Sequence, residues 1–305
     1  MIKPALSDEI LLKVEKPARY LGNEVNMVRK DPKAVDVRFA MCFPDVYDIG
    51  MSHLGIQILY DMFNKRDDVY CERVYSPWTD LDEIMRKENI PLFALESQEP
   101  VKNFDFLGIT LQYEMCYTNV LQVLDLSQIP LLAKDRTEEH PIVIGGGPCT
   151  YNPEPIADFF DMFYIGEGET QYSKLIDLYK ECKKEGLKRQ DFLRRAAEEV
   201  SGIYVPSLYE VEYNEDGTIK QYTANDGAPS VVNKRVVADL DNIYYPENFV
   251  VPFVEVVHDR VVHEIFRGCI RGCRFCQAGF WYRPIREKSV ETISKQSQKL
   301  HCTTG

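Results

Sequence analysis

Short apolar runs alternate with amphipathic stretches through the first two-thirds of the chain, and this alternation sets the expected fold. Residues 35–43 (VDVRFAMCF) read as a buried strand, residues 44–50 as a loop of turn formers, and residues 54–65 (LGIQILYDMFNK) carry apolar side chains at helical spacing. Residues 69–75 predict a second strand, 81–88 an amphipathic helix and 91–95 a further apolar segment. A third core strand is expected at 106–111 (FLGITL), followed by a helix at 119–126. Two more apolar runs, 141–144 (PIVI) and 162–165 (MFYI), lead straight into Gly145-Gly146-Gly147-Pro148 and Gly166-Glu167-Gly168-Glu169, and residues 170–184 predict a long helix with a basic last turn. Continuously apolar strands separated by helices imply a parallel sheet covered on both faces, a doubly wound α/β domain. Ligands of such sheets bind outside the carboxyl ends of the strands. Here those ends hold residues 44–50, 112–117, 145–150 and 166–169.

The flanks read differently. The first 33 residues predict a helical lead-in that ends at Asp31-Pro32, so the α/β domain spans 34–203. A helix is expected at 191–200, and segments 202–212 and 219–222 flank Asn214-Glu215-Asp216-Gly217, a hairpin signal. Residues 204–250 thus form a hairpin and linker. The last unit, 251–305, offers a strand at 261–266, a long loop at 267–285 and a helix at 289–300 with Ser289 as its cap and Glu291 close behind. His258, Asp259 and Arg260 read as a turn in an extended pair. One strand, one loop and one helix cannot bury a core alone. The expectation is that this unit continues past Gly305 in a longer protein; the alternative is that it docks on the first domain.

Composition adds limits. The chain has 305 residues, 45% hydrophobic and 28% charged, which suits two globular domains. Its longest apolar stretch, residues 249–257, is broken by Pro252 and Glu255 and falls far below the ~18 residues of a membrane span. The amino-terminal stretch has acids among its apolar residues and no secretory core, so a cytoplasmic protein without membrane contact is expected. A formal charge of −12 argues against a whole-surface nucleic-acid binder, yet residues 260–295 hold eight Lys and Arg against three Glu. Nine cysteines in such a chain suggest thiols or metal ligands rather than disulfides. Cys42, Cys71, Cys116, Cys149, Cys182 and Cys302 are scattered singly and read as small core residues.

The other three cysteines form Cys269-x3-Cys273-x2-Cys276, with Phe275 before the last. Iron–sulfur clusters are held by thiolates, and a cubane has four irons, so three ligands in one loop leave one iron open to a substrate. Gly268 and Gly272 permit a tight curl. Arg267, Arg271 and Arg274 supply positive charge that favours thiolates. A zinc site completed by His263, His301 or Cys302 is the competing reading, although no second paired motif accompanies it. Trp281, Tyr282 and Arg283 either line an adenine or nucleic-acid path or seal the loop from water. Arg286 and Lys288, just before the last helix, are equally consistent with solvated and functional roles.

The stretch FRGCIRGCRFCQAGFWYRPIREKSVETI resembles the radical SAM superfamily, and specifically its members with an N-terminal cobalamin (B12)-binding-type domain. The resemblance implies that Cys269, Cys273 and Cys276 hold a [4Fe-4S] cluster whose open iron takes the amine and carboxylate of S-adenosylmethionine, with Phe275 beside the cofactor. It implies reductive cleavage to a 5′-deoxyadenosyl radical, an electron donor such as a flavodoxin or ferredoxin, and a partial (β/α)6 barrel of which residues 251–305 supply the first βα unit. IVIGGGPCTYNPEPIADFFDMFYIGEGE is similar to the segment after the fourth strand of the cobalamin-binding-type, Rossmann-like domain. That likeness puts Gly145, Gly146, Thr150, Gly166, Glu167 and Gly168 near a bound cobalamin. The cobalt-ligating D-x-H-x-x-G pattern is not matched by Asp48-Ile-Gly50-Met-Ser-His53-Leu-Gly55, so His53 reads as a helix-start residue and a corrinoid would lack a lower protein ligand. The implied activity is transferase-type, methylation above all; the alternatives are modification of tRNA or ribosomal components without bound cobalamin, and a non-catalytic metal-binding module.

Overall fold

The computed structural model describes residues 4–258 and 260–304, so Asp259 of the expected turn lies outside the described residues. Its centre is a six-stranded sheet of β1 (Val37–Phe43), β2 (Val69–Tyr75), β3 (Phe106–Thr110), β4 (Ile142–Gly146), β5 (Met162–Tyr164) and β6 (Ile203–Tyr204), in the spatial order β2-β1-β3-β4-β5-β6. The first five strands are mutually parallel, and β6 closes the edge antiparallel to β5. Central register pairs Phe39 with Cys71 on one side and Phe106 on the other.

Helices cover both faces: α1 (Asp8–Leu11), α2 (Tyr47–Gly50), α3 (Leu54–Asn64), α4 (Thr79–Glu88), α5 (Tyr117–Leu126), α6 (Tyr172–Glu185) and α7 (Arg189–Glu199). The alternation of side chains along β1 divides the core. Val37, Phe39, Met41 and Phe43 pack with Ile56, Tyr60 and Phe63 of α3 and Leu175 and Ile176 of α6. Ala40 and Cys42 face the opposite layer, with Leu81 and Met85 of α4 and Val120, Val123 and Leu124 of α5. The doubly wound architecture expected from the apolar pattern is therefore present. No helix among the described residues is long and apolar enough to cross a membrane.

Three sequence expectations are corrected. The lead-in is not a helix: α1 is one turn, capped by Ser7, and most of the chain from there to residue 33 is irregular. Leu6, Ile10, Val14 and Tyr20 pack onto the α4–α5 layer, and Glu24 reaches into the sheet, so tertiary contacts rather than helical periodicity hold this segment. The strand expected at 261–266 shrinks to β9 (Phe266–Arg267), because its only partner among the described residues is an equally short strand. Cys302 is exposed, whereas Cys42, Cys71, Cys116, Cys149 and Cys182 are buried free thiols. The hairpin appears as β7 (Tyr209–Tyr213) and β8 (Ile219–Ala224). The last unit holds β9, α8 (Ala278–Trp281), β10 (Arg286–Glu287) and α9 (Val290–Thr304), with Ser289 capping through the Thr292 amide at 3.2 Å.

Arg73 on β2 is fully buried. Its guanidinium donates to Glu96 Oε1 at 2.6 Å and to both oxygens of Glu24 at 3.0 and 2.9 Å, and Tyr47 donates to Glu24 at 2.9 Å. This pairing fixes the lead-in to the edge of the sheet. Arg73→Met strands two buried carboxylates and is expected to lower stability by about 3–5 kcal/mol in urea unfolding; a loss under ~1 kcal/mol would show the triad to be replaceable.

Candidate functional site

The strand order reverses between β1 and β3, so the connections that leave them cross to opposite faces and open a crevice at the carboxyl edge. A cavity of about 450 Å3 lies there. Gly146, Gly147 and Pro148 border it at the end of β4, Gln112 after β3, and His53, Gly55 and Leu59 at the start of α3. Tyr164, Tyr172 and the Gly166-Glu167-Gly168-Glu169 turn line another side. The remaining wall comes from the last unit: Glu264, Phe266, Arg267, Gly268 and Tyr282. The last unit thus docks on the first domain across the cavity, and Gly268 is the residue before Cys269.

His53 caps α3. Its Nδ1 accepts the Ile56 amide at 3.2 Å, which leaves Nε2 as the protonated nitrogen of a neutral ring. Burial lowers its pKa below the ordinary histidine range, and a hydrogen bond with Gln112 opposes that only in part. A ring committed to the cap through Nδ1 cannot offer a lone pair on Nε2 to a metal without giving up the cap.

The acidic turn is held by backbone and by ions. Gly166 has φ +128°, and a Cβ there would overlap the Arg235 backbone, whose carbonyl accepts the Glu167 amide at 2.9 Å. Glu167 takes the Val237 amide at 2.6 Å and Arg286 Nη1 at 2.7 Å, with Arg267 Nη1 3.3 Å away. Glu169 bonds Arg267, which also donates to Glu264 at 2.7 Å. Burial opposes the Arg267 charge, but the hydrogen bond to Glu264 and the charge of Glu169 outweigh it and raise its pKa. Lys288 lies over the Tyr245 ring at 3.9 Å and 3.6 Å from Glu264; burial lowers its pKa against that attraction. Arg267, Arg286 and Lys288, all within the basic segment of the sequence, are therefore paired inside the fold.

Beyond Arg267 the chain rises into the cysteine loop. Gly268 (φ +106°) lies so close to Tyr282, Pro284 and Ile285 that a Cβ would meet their backbones at 2.8 Å. Cys273 is exposed, Cys269 and Cys276 are half-buried, and Phe275 is 93% exposed. Among the described residues no three His, Cys, Asp or Glu side chains converge as a metal site. The donor set nonetheless fits a cluster with one open iron: three soft thiols on one loop, with open space beside Gly272. His263 stacks on Tyr245 rather than completing a zinc set. Trp281 stacks on Tyr151 of the α/β domain at 6.1 Å, Tyr282 turns into the cavity, and Arg283 covers Phe280.

The cavity gathers Gly146, Gly166, Glu167 and Gly168 of the expected ligand contacts. Gly145 lies beneath it, packed against Phe163, and Thr150 is fully buried with its hydroxyl on the carbonyls of Gly147 (2.7 Å) and Tyr164 (3.2 Å). Cys269, Cys273, Cys276 and Phe275 stand outside the lining, further along the loop. Sequence reasoning did not single out Tyr172 or Glu264 for the site. Only their positions, one turn after the glycine-rich turn and three residues before Arg267, hinted at it.

Residues 55–206 match the family model described as "Radical SAM proteins, N-terminal". An uncharacterized protein of Methanocaldococcus jannaschii is 28% identical over 257 residues, covering 83% of this chain and 44% of that protein. Two solved structures of the radical S-adenosylmethionine methyltransferase TsrM from Kitasatospora setae are similar at 11% identity. One, with tryptophan substrate and the analogue aza-SAM bound, has a TM-score of 0.42 and covers 87% of this chain and 45% of that one. The other, with cobalamin and a [4Fe-4S] cluster bound, has a TM-score of 0.44 and covers 88% and 46%. The chain spans less than half the length of each of these proteins.

His53→Ala removes the cap and is expected to cost about 1 kcal/mol, with His53→Asn costing less because an amide oxygen can take its place. Because the folded-state pKa of His53 is lowered, the unfolded chain binds its proton more readily, and stability falls as pH drops below about 6.5. His53→Asn should flatten that slope in unfolding titrations; an unchanged slope would place the titrating group elsewhere.

Proposed function

We propose, from the match of residues 55–206 to the N-terminal region of radical SAM proteins, an enzyme of that family that cleaves S-adenosylmethionine at a [4Fe-4S] cluster beside a corrinoid cavity. Cys269, Cys273 and Cys276 would hold the cluster, and the carboxyl-edge cavity would take the corrinoid for methyl-type transfer. The observation that carries this reading is the shared wall: Arg267 and Gly268, directly before the first cysteine, line the same cavity as Gly146, Gly147 and His53. When bound, the cluster held by these three cysteines would supply the one-electron reducing power that cleavage of S-adenosylmethionine requires.

The protein's own contribution is placement and exclusion of water. Gly146 and Gly147 line the cavity at the end of β4 and carry no side chain of their own, so a flat ligand would meet backbone there. His53, committed to its cap through Nδ1 and hydrogen-bonded with Gln112, has no free lone pair to offer, so it would not serve as a cobalt ligand. Trp281 stacked on Tyr151 keeps the loop seated on the α/β domain. The electron has to come from outside, which suits a small donor such as a flavodoxin or ferredoxin. Five buried free thiols suit a reducing compartment such as the cytoplasm.

Anaerobic reconstitution with iron and sulfide tests the first half. Iron with acid-labile sulfide is expected in the wild type, with loss of S-adenosylmethionine cleavage in Cys273→Ala; one zinc per chain, or undiminished cleavage by the variant, would refute it. Titration with hydroxocobalamin tests the second half. Stoichiometric retention through desalting, with a spectrum lacking a protein nitrogen ligand, is expected. No retention by the folded chain would remove the case for methyl transfer.

A further inference from the structure

The two ends of the cysteine loop meet in the β9–β10 pair, and the residues placed directly opposite each other there are Arg267 and Arg286. Like charges in facing positions of a two-stranded pair oppose its formation. Both guanidinium groups are largely buried, with side chains 12% and 7% exposed, so water screens them poorly. Glu167 lies between them, 2.7 Å from Arg286 and 3.3 Å from Arg267, and its Oε2 also accepts the Val237 amide at 2.6 Å. Glu169 and Glu264 pair with Arg267 as well, but neither is bonded to Arg286. Among the described ion pairs, Glu167 is the carboxylate that pairs with both facing arginines, whereas Glu264 pairs with Arg267 and, at 3.6 Å, with Lys288.

We propose that Glu167 is a positioning residue: it neutralises the Arg267–Arg286 pair, closes the base of the cysteine loop and holds that base against the cavity. The glutamate of the glycine-rich turn therefore acts on the loop rather than on a ligand in the cavity. Closure of the loop becomes dependent on the α/β domain, because the carboxylate that pairs with both facing arginines sits on the turn after β5. As a statement about cluster placement this rests on the proposed radical SAM function; as a statement about loop closure it does not.

Hydrogen–deuterium exchange on the full chain without metal tests the closure. Glu167→Gln keeps the shape and an oxygen for the Val237 amide but removes the charge. Exchange across residues 265–288 is expected to rise about tenfold in this variant while β1 and β3 keep their protection. In an Arg286→Met background only one of the two facing charges remains, and the same Glu167→Gln change should then raise exchange no more than about threefold. An unchanged rate in Glu167→Gln, an equal effect in both backgrounds, or a rise that extends through β1 and β3 would each overturn the proposal. Iron content after anaerobic reconstitution tracks the same cycle: it should fall in Glu167→Gln and fall less steeply when the change is made in Arg286→Met. If the wild type takes up no iron, the proposed function fails while the exchange cycle still decides whether Glu167 closes the loop.

Discussion

Reversal of strand order between β1 and β3 is the constraint on which the site depends. Helices after β1 lie on one face and those after β3 on the other, so neither set covers the carboxyl ends where they part. That edge has to be filled by loops, and the loops available here are narrow. Gly146 and Gly147 end β4, and Gly166 lets the chain after β5 run against the Arg235 backbone. The result is a cavity with a largely backbone border at the sheet and an ionic border where the last unit arrives.

That arrival is made with charge more than with apolar surface. Glu167 and Glu169 of the α/β domain meet Arg267 and Arg286 of the last unit, where Glu264 joins Arg267 and Lys288, all with side chains no more than 15% exposed. Buried ion pairs recover little net energy once desolvation is counted, but they reject misplaced partners strongly. An ionic contact of this kind therefore suits register better than adhesion: it defines where the base of the cysteine loop sits, while stacking of Trp281 on Tyr151 contributes the apolar part. The same logic operates at the opposite edge, where Arg73 secures Glu24 of the irregular lead-in.

Much of this was legible in the sequence because the relevant physics is local. Strands β1 to β5 are nearly continuous apolar runs, so their existence and the covered parallel sheet could be read from periodicity, with ends displaced by one or two residues. The cysteine spacing and the glycine-rich turns were legible for the same reason. The lead-in was not, since Leu6, Ile10 and Val14 recur at helical spacing yet are held by distant side chains. The last strand was overestimated because an apolar run does not reveal whether a partner exists. Thr150 and Glu167 illustrate the limit at the site: a polar residue next to glycines reads as a ligand contact, but the Thr150 hydroxyl is consumed by backbone carbonyls and the Glu167 carboxylate by arginines about one hundred residues away or more. No short-range pattern encodes such partners.

The central claim is that the carboxyl-edge cavity and the cysteine loop form one site. Electron paramagnetic resonance tests it directly, on wild-type protein loaded with cobalamin and then reduced, with and without prior reconstitution of iron and sulfide. Two paramagnets in one site relax each other. Faster relaxation of the cobalt(II) signal is therefore predicted when the reduced cluster is present, because Arg267 and Gly268 connect the cavity wall to Cys269. A cobalt(II) signal that saturates identically in both preparations, with both groups bound, would contradict the account.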